Sequence, residues 1–453
     1  MPQYVKRGSI PAKRHTAHRT SPGYLSEGIY YEEVISTEGF HRAYSIAYHL
    51  KPPTRVLRIS AMSDKPVELA PADPLRHIHL KTSKIPRRLD AIHGRLALFE
   101  NSDVRICRCR PAEQQRVLYR NAAQDELWFI RSGTGRLLSM FGSVVFRDLD
   151  YLVIPRCTTV QIEFDSIDLA DMLVVESKGT IGFPSRYINP DGQFRLGAPF
   201  CERDLRGPEL IESIAEEGEF ILHLRDNDRW CEYVLANHPF DVVGWDGMVY
   251  PFAFNAMDFE PITGTVHQPP PIHQTFQTDG FVVCTFAPRM LDTHPDAIKV
   301  PYAHSNVESD ELLYYVAGNF GSRRGVELDS LTLHPHGIVQ AATDISDGLG
   351  VDLLNITVAS QCGAEVDLDR IPISDAAIER SKTSGNSALE HAIGDGEDFE
   401  LLMAVDPSRI DLLPDSIDGV PLTVIGTFVS RTGLWSRSKG GVIQMPPRGY
   451  IHG

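Results

Sequence analysis

At 453 residues the chain has room for about three domains of ordinary size, and its 42% hydrophobic and 23% charged residues exclude disordered, collagen-like and coiled-coil classes. A formal charge of −16, from 44 basic and 60 acidic side chains, argues against non-specific nucleic-acid or anionic-membrane binding, since both need a basic surface. The charge is uneven: Gln340 to the end holds 17 acidic and 8 basic residues, a balance of −9, which leaves −7 for the first 339.

The N-terminal run Met1-Pro-Gln-Tyr-Val-Lys-Arg lacks the apolar core of a signal peptide. No segment approaches the roughly 20 apolar residues of a membrane span, so no membrane partner and a cytoplasmic location are expected. Up to about residue 340 short apolar runs alternate with Gly, Pro, Asp and Asn. Val56–Ile59, Leu96–Phe99, Val104–Cys107, Leu127–Ile130, Tyr151–Pro155, Val160–Phe164 and Phe281–Phe286 each read as a half-buried strand. The seven cysteines show no disulfide spacing. Cys107 and Cys109 have no second pair to make a zinc site and read as free thiols.

Two segments repeat weakly: Asp125-Glu-Leu-Trp-Phe-Ile-Arg-Ser-Gly133 and Asp310-Glu-Leu-Leu-Tyr-Tyr-Val-Ala-Gly318. Two copies of a small β-barrel would produce this. His304 stands seven residues before Glu311, where the first copy has Tyr119 before Glu126.

His304, Glu311, His334 and His336 offer imidazoles and a carboxylate on neighbouring strands. Two histidines and one carboxylate on one face of an ion leave positions open for substrate and O₂, as in non-haem Fe(II) oxygenases. The alternative is that these are turn or surface histidines.

Beyond 340 the rhythm becomes helix and strand. Leu349, Leu353, Ile356 and Ala359 recur at helical spacing until Gly363, a strand follows over Ala364–Leu368, and a second helical stretch covers Ser387–Ile393. A strand from Phe399 to Val405, a short helix opening at Pro407 and a strand over Leu422–Val429 complete an α/β unit. Ala342-Thr-Asp344-Ile-Ser346-Asp347-Gly-Leu places two carboxylates three apart before a helix, where Ser and Asp by themselves read first as a helix cap and otherwise as a cluster suited to Mg²⁺ and phosphate.

The first part resembles the bacterial homogentisate 1,2-dioxygenase family. The likeness is carried by Tyr4-Val-Lys-Arg-Gly, Pro11-Ala-Lys-Arg-His-Thr, Gly142-Ser-Val-Val-Phe-Arg-Asp-Leu-Asp-Tyr-Leu-Val-Ile-Pro, Val243-Gly-Trp-Asp-Gly-Met-Val-Tyr-Pro and His304-Ser-Asn-Val-Glu-Ser-Asp-Glu. It implies a mainly β, double-barrel cupin over residues 1–339, with barrels at about 100–200 and 240–339. It also implies Fe(II)-dependent ring cleavage of homogentisate with O₂ to maleylacetoacetate, in tyrosine and phenylalanine breakdown. By the same resemblance His304 and Glu311 match two iron ligands, with Asp310 a competitor for the carboxylate. His267, or His273 nearby, matches a base near the substrate hydroxyl, and His334 matches a pocket histidine. The third ligand position falls on Gln340; His336 would replace it only by a shift of register. Such barrels imply a homo-oligomer.

The tail, 340–453, resembles the C-terminal half of thiamine-monophosphate kinase. The matching motifs are those at 342–349, Ile371-Pro-Ile-Ser-Asp375, Gly394-Asp-Gly-Glu-Asp398-Phe-Glu400 and Gly449-Tyr450. It implies Mg²⁺ on Asp344 and Asp347, ATP at Ser346, and thiamine phosphate at Glu400 and Tyr450. The kinase's N-terminal half has no counterpart in residues 1–339. The chain is therefore expected to be a fusion in which neither chemistry is complete.

Overall fold

The computed structural model describes residues 3–19, 28–63, 70, 75–265, 270–290, 293–295, 304–317, 326–337, 343–345, 349–360, 362–395, 398–405, 414, 416–417, 420–438 and 441–446. It is mainly β, with 41% strand against 13% helix. The chain forms two compact units, 1–72 with 84–299, and 73–83 with 300–453.

The first unit is built on two seven-stranded sheets. One runs in the order Gly142–Phe146, Gly135–Ser139, Val160–Phe164, Leu118–Asn121, Glu217–Asp226, Arg229–Asn237, Val56–Ala61. The other runs Leu205–Arg206, Phe252–Asn255, Asp150–Ile154, Asp125–Ser132, Asp171–Ser177, Val104–Cys109, Leu96–Glu100. Alternate residues of both sheets enter one core, among them Trp128 and Ile130, Leu152 and Ile154, Val160 and Ile162, Met172 and Val174. This is the period-two pattern that the short apolar runs predict. Cys107 and Cys109 belong to that core, where burial pushes both thiols up, Cys109 to about 12; they are structural groups rather than nucleophiles. A four-stranded sheet, Val5–Gly8, Val242–Gly247, Tyr44–His49 and Tyr31–Ser36, belongs to the same unit.

The residues expected to form a second barrel, 240–339, are shared among several sheets. Val242–Gly247 joins the four-stranded sheet, and Phe252–Asn255 pairs with Asp150–Ile154. Glu311–Tyr314 and Ser330–His334 form a three-stranded sheet with Ile78–Lys81 from far earlier in the chain. Among the described residues they make no closed barrel of their own.

In the second unit three helices, α1 (Leu349–Ala359), α2 (Asp375–Ser384) and α3 (Ala388–Gly394), accompany a four-stranded sheet. The sheet order is Gly426–Val429, Gly363–Asp367, Gly433–Ser438, Gly441–Gln444. Leu349 and Leu353 of α1 meet Ala364, Val366, Ile393 and Leu434 in a second core. Ser387 caps α3 and Glu390 returns the bond, a capping box that fixes where the helix starts. The helix expected at Pro407 lies outside the described residues.

Among the described residues no helix is long and apolar enough to cross a membrane.

Candidate functional site

The antiparallel register of Glu311–Tyr314 with Ser330–His334 sets Glu311 directly opposite His334. Directly opposed side chains lie within contact reach, and His334 Nδ1 is 3.2 Å from Glu311 Oε2. His304 Nε2 is 3.8 Å from the same oxygen. His334 is 1% exposed and His304 37%, so one imidazole is inside and the other faces the approach. A further residue, His77, precedes the strand Ile78–Lys81, and its ring stands edge-on to His334 with centroids 5.3 Å apart. Sequence spacing could not find it, because it lies some 250 residues earlier in the chain, beside a strand that pairs across that distance.

His336 does not join this group. Its backbone N–H and its ring Nδ1 both engage Asp310 Oδ1, at 2.9 and 2.8 Å. The strand ends at His334 and the chain turns through Gly337 at φ +71°, which carries His336 to Asp310 instead of Glu311. Burial would raise the Asp310 carboxyl, but the His336 bonds hold it below the usual carboxylate range. His336, expected as a replacement third ligand, thus stands with Asp310, the expected alternative carboxylate, and not with Glu311.

Two imidazoles and a carboxylate are the right donors for ferrous iron. However, among the described residues no three His, Cys, Asp or Glu side chains converge closely enough to hold one ion. Gln340 and His267 lie outside the described residues. His273, the alternative base, is in the first unit, 1% exposed with both ring nitrogens unpartnered. Burial and then Arg289 lower it to about 4, so it is neutral and weakly basic at pH 7.

The first copy of the repeat answers the same problem differently. Glu126 is fully buried and accepts from Tyr119 Oη at 2.6 Å, Asn121 Nδ2 at 2.8 Å and Trp128 Nε1 at 2.7 Å. Arg95 grips both its oxygens at 2.9 and 3.1 Å, reaches Glu176 at 2.9 Å, and lies over the Tyr119 and Trp128 rings. Burial would raise the Glu126 carboxyl, yet Arg95 draws it down to about 2. A fixed guanidinium already meets the charge that this carboxylate would offer an ion. Nothing in the sequence marks Arg95, whose partners are 31 and 81 residues away.

In the second unit Thr343–Ile345 pairs antiparallel with Asp398–Leu402, Asp344 facing Leu401. The register slips between Asp344 and Ile345, and Glu400 lies within that slip. Backbone pairing thus brings the two acidic motifs to adjacent strands; the side chains of Asp344 and Glu400, and all of Ser346, Asp347 and Tyr450, lie outside the described residues.

A protein of Saccharolobus solfataricus named "Putative dioxygenase" is 38% identical over 336 residues, covering 74% of this chain and 85% of that protein. The family described as AIR synthase related protein, C-terminal domain, matches residues 326–435. Thiamine-monophosphate kinase of Rhodopirellula baltica is 38% identical over 162 residues, 34% of this chain and 51% of the kinase. The Salmonella typhimurium enzyme is 44% identical over 118 residues, 25% of this chain and 36% of the kinase. The chain thus spans between about a third and a half of these kinases. The shares of 74% and 34% exceed the whole chain by 8%, so the dioxygenase-like and kinase-like stretches overlap. A solved cupin 2 barrel protein from Leptotrichia buccalis covers 39% of this chain at 9% identity with a TM-score of 0.20, too distant to carry an argument.

Proposed function

The chain belongs to the family of the Saccharolobus solfataricus dioxygenase-named protein, and from that premise we propose that it is a ring-cleaving dioxygenase of the homogentisate type, impaired where its third iron ligand should stand. The observation that carries this reading is the approach of His334 and His304 to one oxygen of Glu311. His304 and Glu311 would hold Fe(II), which when bound supplies the activation of O₂. His334, buried and hydrogen-bonded to Glu311, fixes the carboxylate's orientation, the kind of support that outer partners give to metal ligands. With two donors in place of three, iron is held weakly. The substrate is a small aromatic acid, homogentisate on the family likeness, and O₂ adds both its atoms to the product.

The test is anaerobic loading with Fe(II), desalting, metal analysis and O₂ uptake with homogentisate. The wild type should retain well under one iron per chain and turn over slowly. Gln340→His should raise retention and rate together by about tenfold or more, the scale seen when support of a metal site changes, and His304→Ala should abolish both. Failure of Gln340→His to hold iron would sink the reading.

A second reading has the support of the family match at 326–435: an Mg²⁺- and ATP-dependent thiamine-monophosphate kinase using Asp344, Asp347, Ser346, Glu400 and Tyr450. Phosphoryl transfer rests on positioning and charge neutralisation from all sides of the phosphate, and about half of such a kinase supplies little of either. It requires ATP turnover that Asp347→Asn removes.

A further inference from the structure

The first unit contains a cavity of about 650 Å³, its open mouth included, whose walls come from the four-stranded sheet and from the seven-stranded sheet that ends at Val56–Ala61. Leu222, Leu224 and Leu235, from the strands Glu217–Asp226 and Arg229–Asn237, give it an apolar wall. Against that wall stand polar groups of two kinds, those already satisfied and those not.

His49 is satisfied. Its Nδ1 lies 2.7 Å from Asp241 and its Nε2 3.0 Å from Glu33. Asn237 is not, and Arg120 has only a neutral partner among the described residues. Arg120 spends Nε and Nη2 on the single hydroxyl of Thr159, at 2.9 and 2.6 Å, and among the described residues it makes no ion pair. Glu33, which burial would raise, is lowered by its bond to His49 and more weakly by Arg120, without pairing with Arg120. Asn237 is 5% exposed, and its Oδ1 has no hydrogen-bond partner. A buried acceptor left unmet is costly. Arg120, outside any ion pair among the described residues, and the unmet Asn237 acceptor therefore line one cavity with an apolar wall, beside the Glu33 and Asp241 carboxylates that hold His49.

We propose that this cavity binds a small hydroxylated carboxylic acid, its carboxylate on Arg120, its hydrocarbon body against Leu222, Leu224 and Leu235, and its hydroxyl donating to Asn237 Oδ1. A guanidinium takes a carboxylate in a directed, charge-assisted bond, and ligand sites use a few such groups to orient an apolar body. Every residue involved belongs to the first unit, so the site stands or falls independently of iron at Glu311.

The test is calorimetric titration of iron-free, full-length protein with 4-hydroxyphenylacetate and with phenylacetate. The hydroxylated acid should bind about tenfold or more tightly, because phenylacetate leaves Asn237 unmet. Arg120→Gln should weaken both acids by about tenfold or more, one charge-assisted bond's worth. Asn237→Leu should erase the preference between them; should that variant not fold, the wild-type comparison carries this arm. Equal affinity in the wild type and a folded Arg120→Gln variant would overturn the proposal. So would the absence of saturable binding at millimolar acid, or binding lost in His304→Ala and kept in Arg120→Gln.

Discussion

Two buried charge clusters, each resolved by a neighbouring side chain, decide what the first unit can do at the level of single residues. Glu126, Arg95 and Glu176 are all at most 5% exposed at the side chain, a setting where removing one partner strands a charge without water. Arg95→Met should therefore destabilise the first unit by about 3–5 kcal/mol, the scale for breaking a buried pair, as read from urea denaturation; a loss under about 1 kcal/mol would show that the carboxylates had simply taken up protons. His49 works in the opposite sense with pH. Burial would lower its pKa, but Asp241 and Glu33 outweigh this and raise it from 6.5 to about 9. The folded state then binds the proton more tightly than the unfolded one. Its stabilisation is complete below pH 6.5 and disappears as pH rises through about 9. Thermal melts from pH 6 to pH 10 should show the wild type losing stability across that window, and His49→Asn should flatten the profile. A wild-type curve level from pH 6.5 to 9 would contradict the assignment.

At the scale of elements, legibility followed the strength of the apolar pattern. Leu349 and Leu353 sit one helical turn apart on a buried face, and the helix read from them is α1 itself, Leu349–Ala359. The run Val160–Phe164 is a strand with those same ends because its alternate residues enter the core. Helix α2 is not legible in the sequence because Ala377 is its one buried residue, so it carries no apolar stripe to betray a 3.6 period. The hairpin Glu217–Asp226 with Arg229–Asn237 is faint in the sequence for a related reason. Half-exposed residues break its alternation, although Asn227 at φ +56° between two aspartates is a turn signal that could have found it. The candidate site divides the same way. His304 and Glu311 share a short stretch of chain and could be paired by spacing. His77 reaches His334 through a strand pairing across the chain, and His336 left the group because a turn intervened; register over such separations is set by tertiary packing, which no local pattern encodes.

For the whole molecule, the uneven charge noted in the sequence goes with a division into two compact units, each with a core among its described residues. Among the described residues nineteen buried side chains form the core between the seven-stranded sheets, and eight form the core around α1. The last 114 residues also carry −9 of the −16, and like charge opposes a compact state most at low salt. The second unit should therefore unfold first. Trp128, Trp230 and Trp245 lie in the first unit, while Trp435, the fourth tryptophan, lies in the second; the described α-helices are also all in the second. In a Trp435→Phe variant, tryptophan fluorescence reports the first unit alone, and ellipticity at 222 nm is weighted toward the second. Urea titrations followed by the two probes should not coincide, the ellipticity falling at lower urea, and added salt should move the ellipticity midpoint upward more than the fluorescence midpoint. Coincidence of different probes is the test of a single cooperative transition, so superimposable curves at both salt concentrations would show that the two cores fold as one and that the charge asymmetry has no energetic consequence.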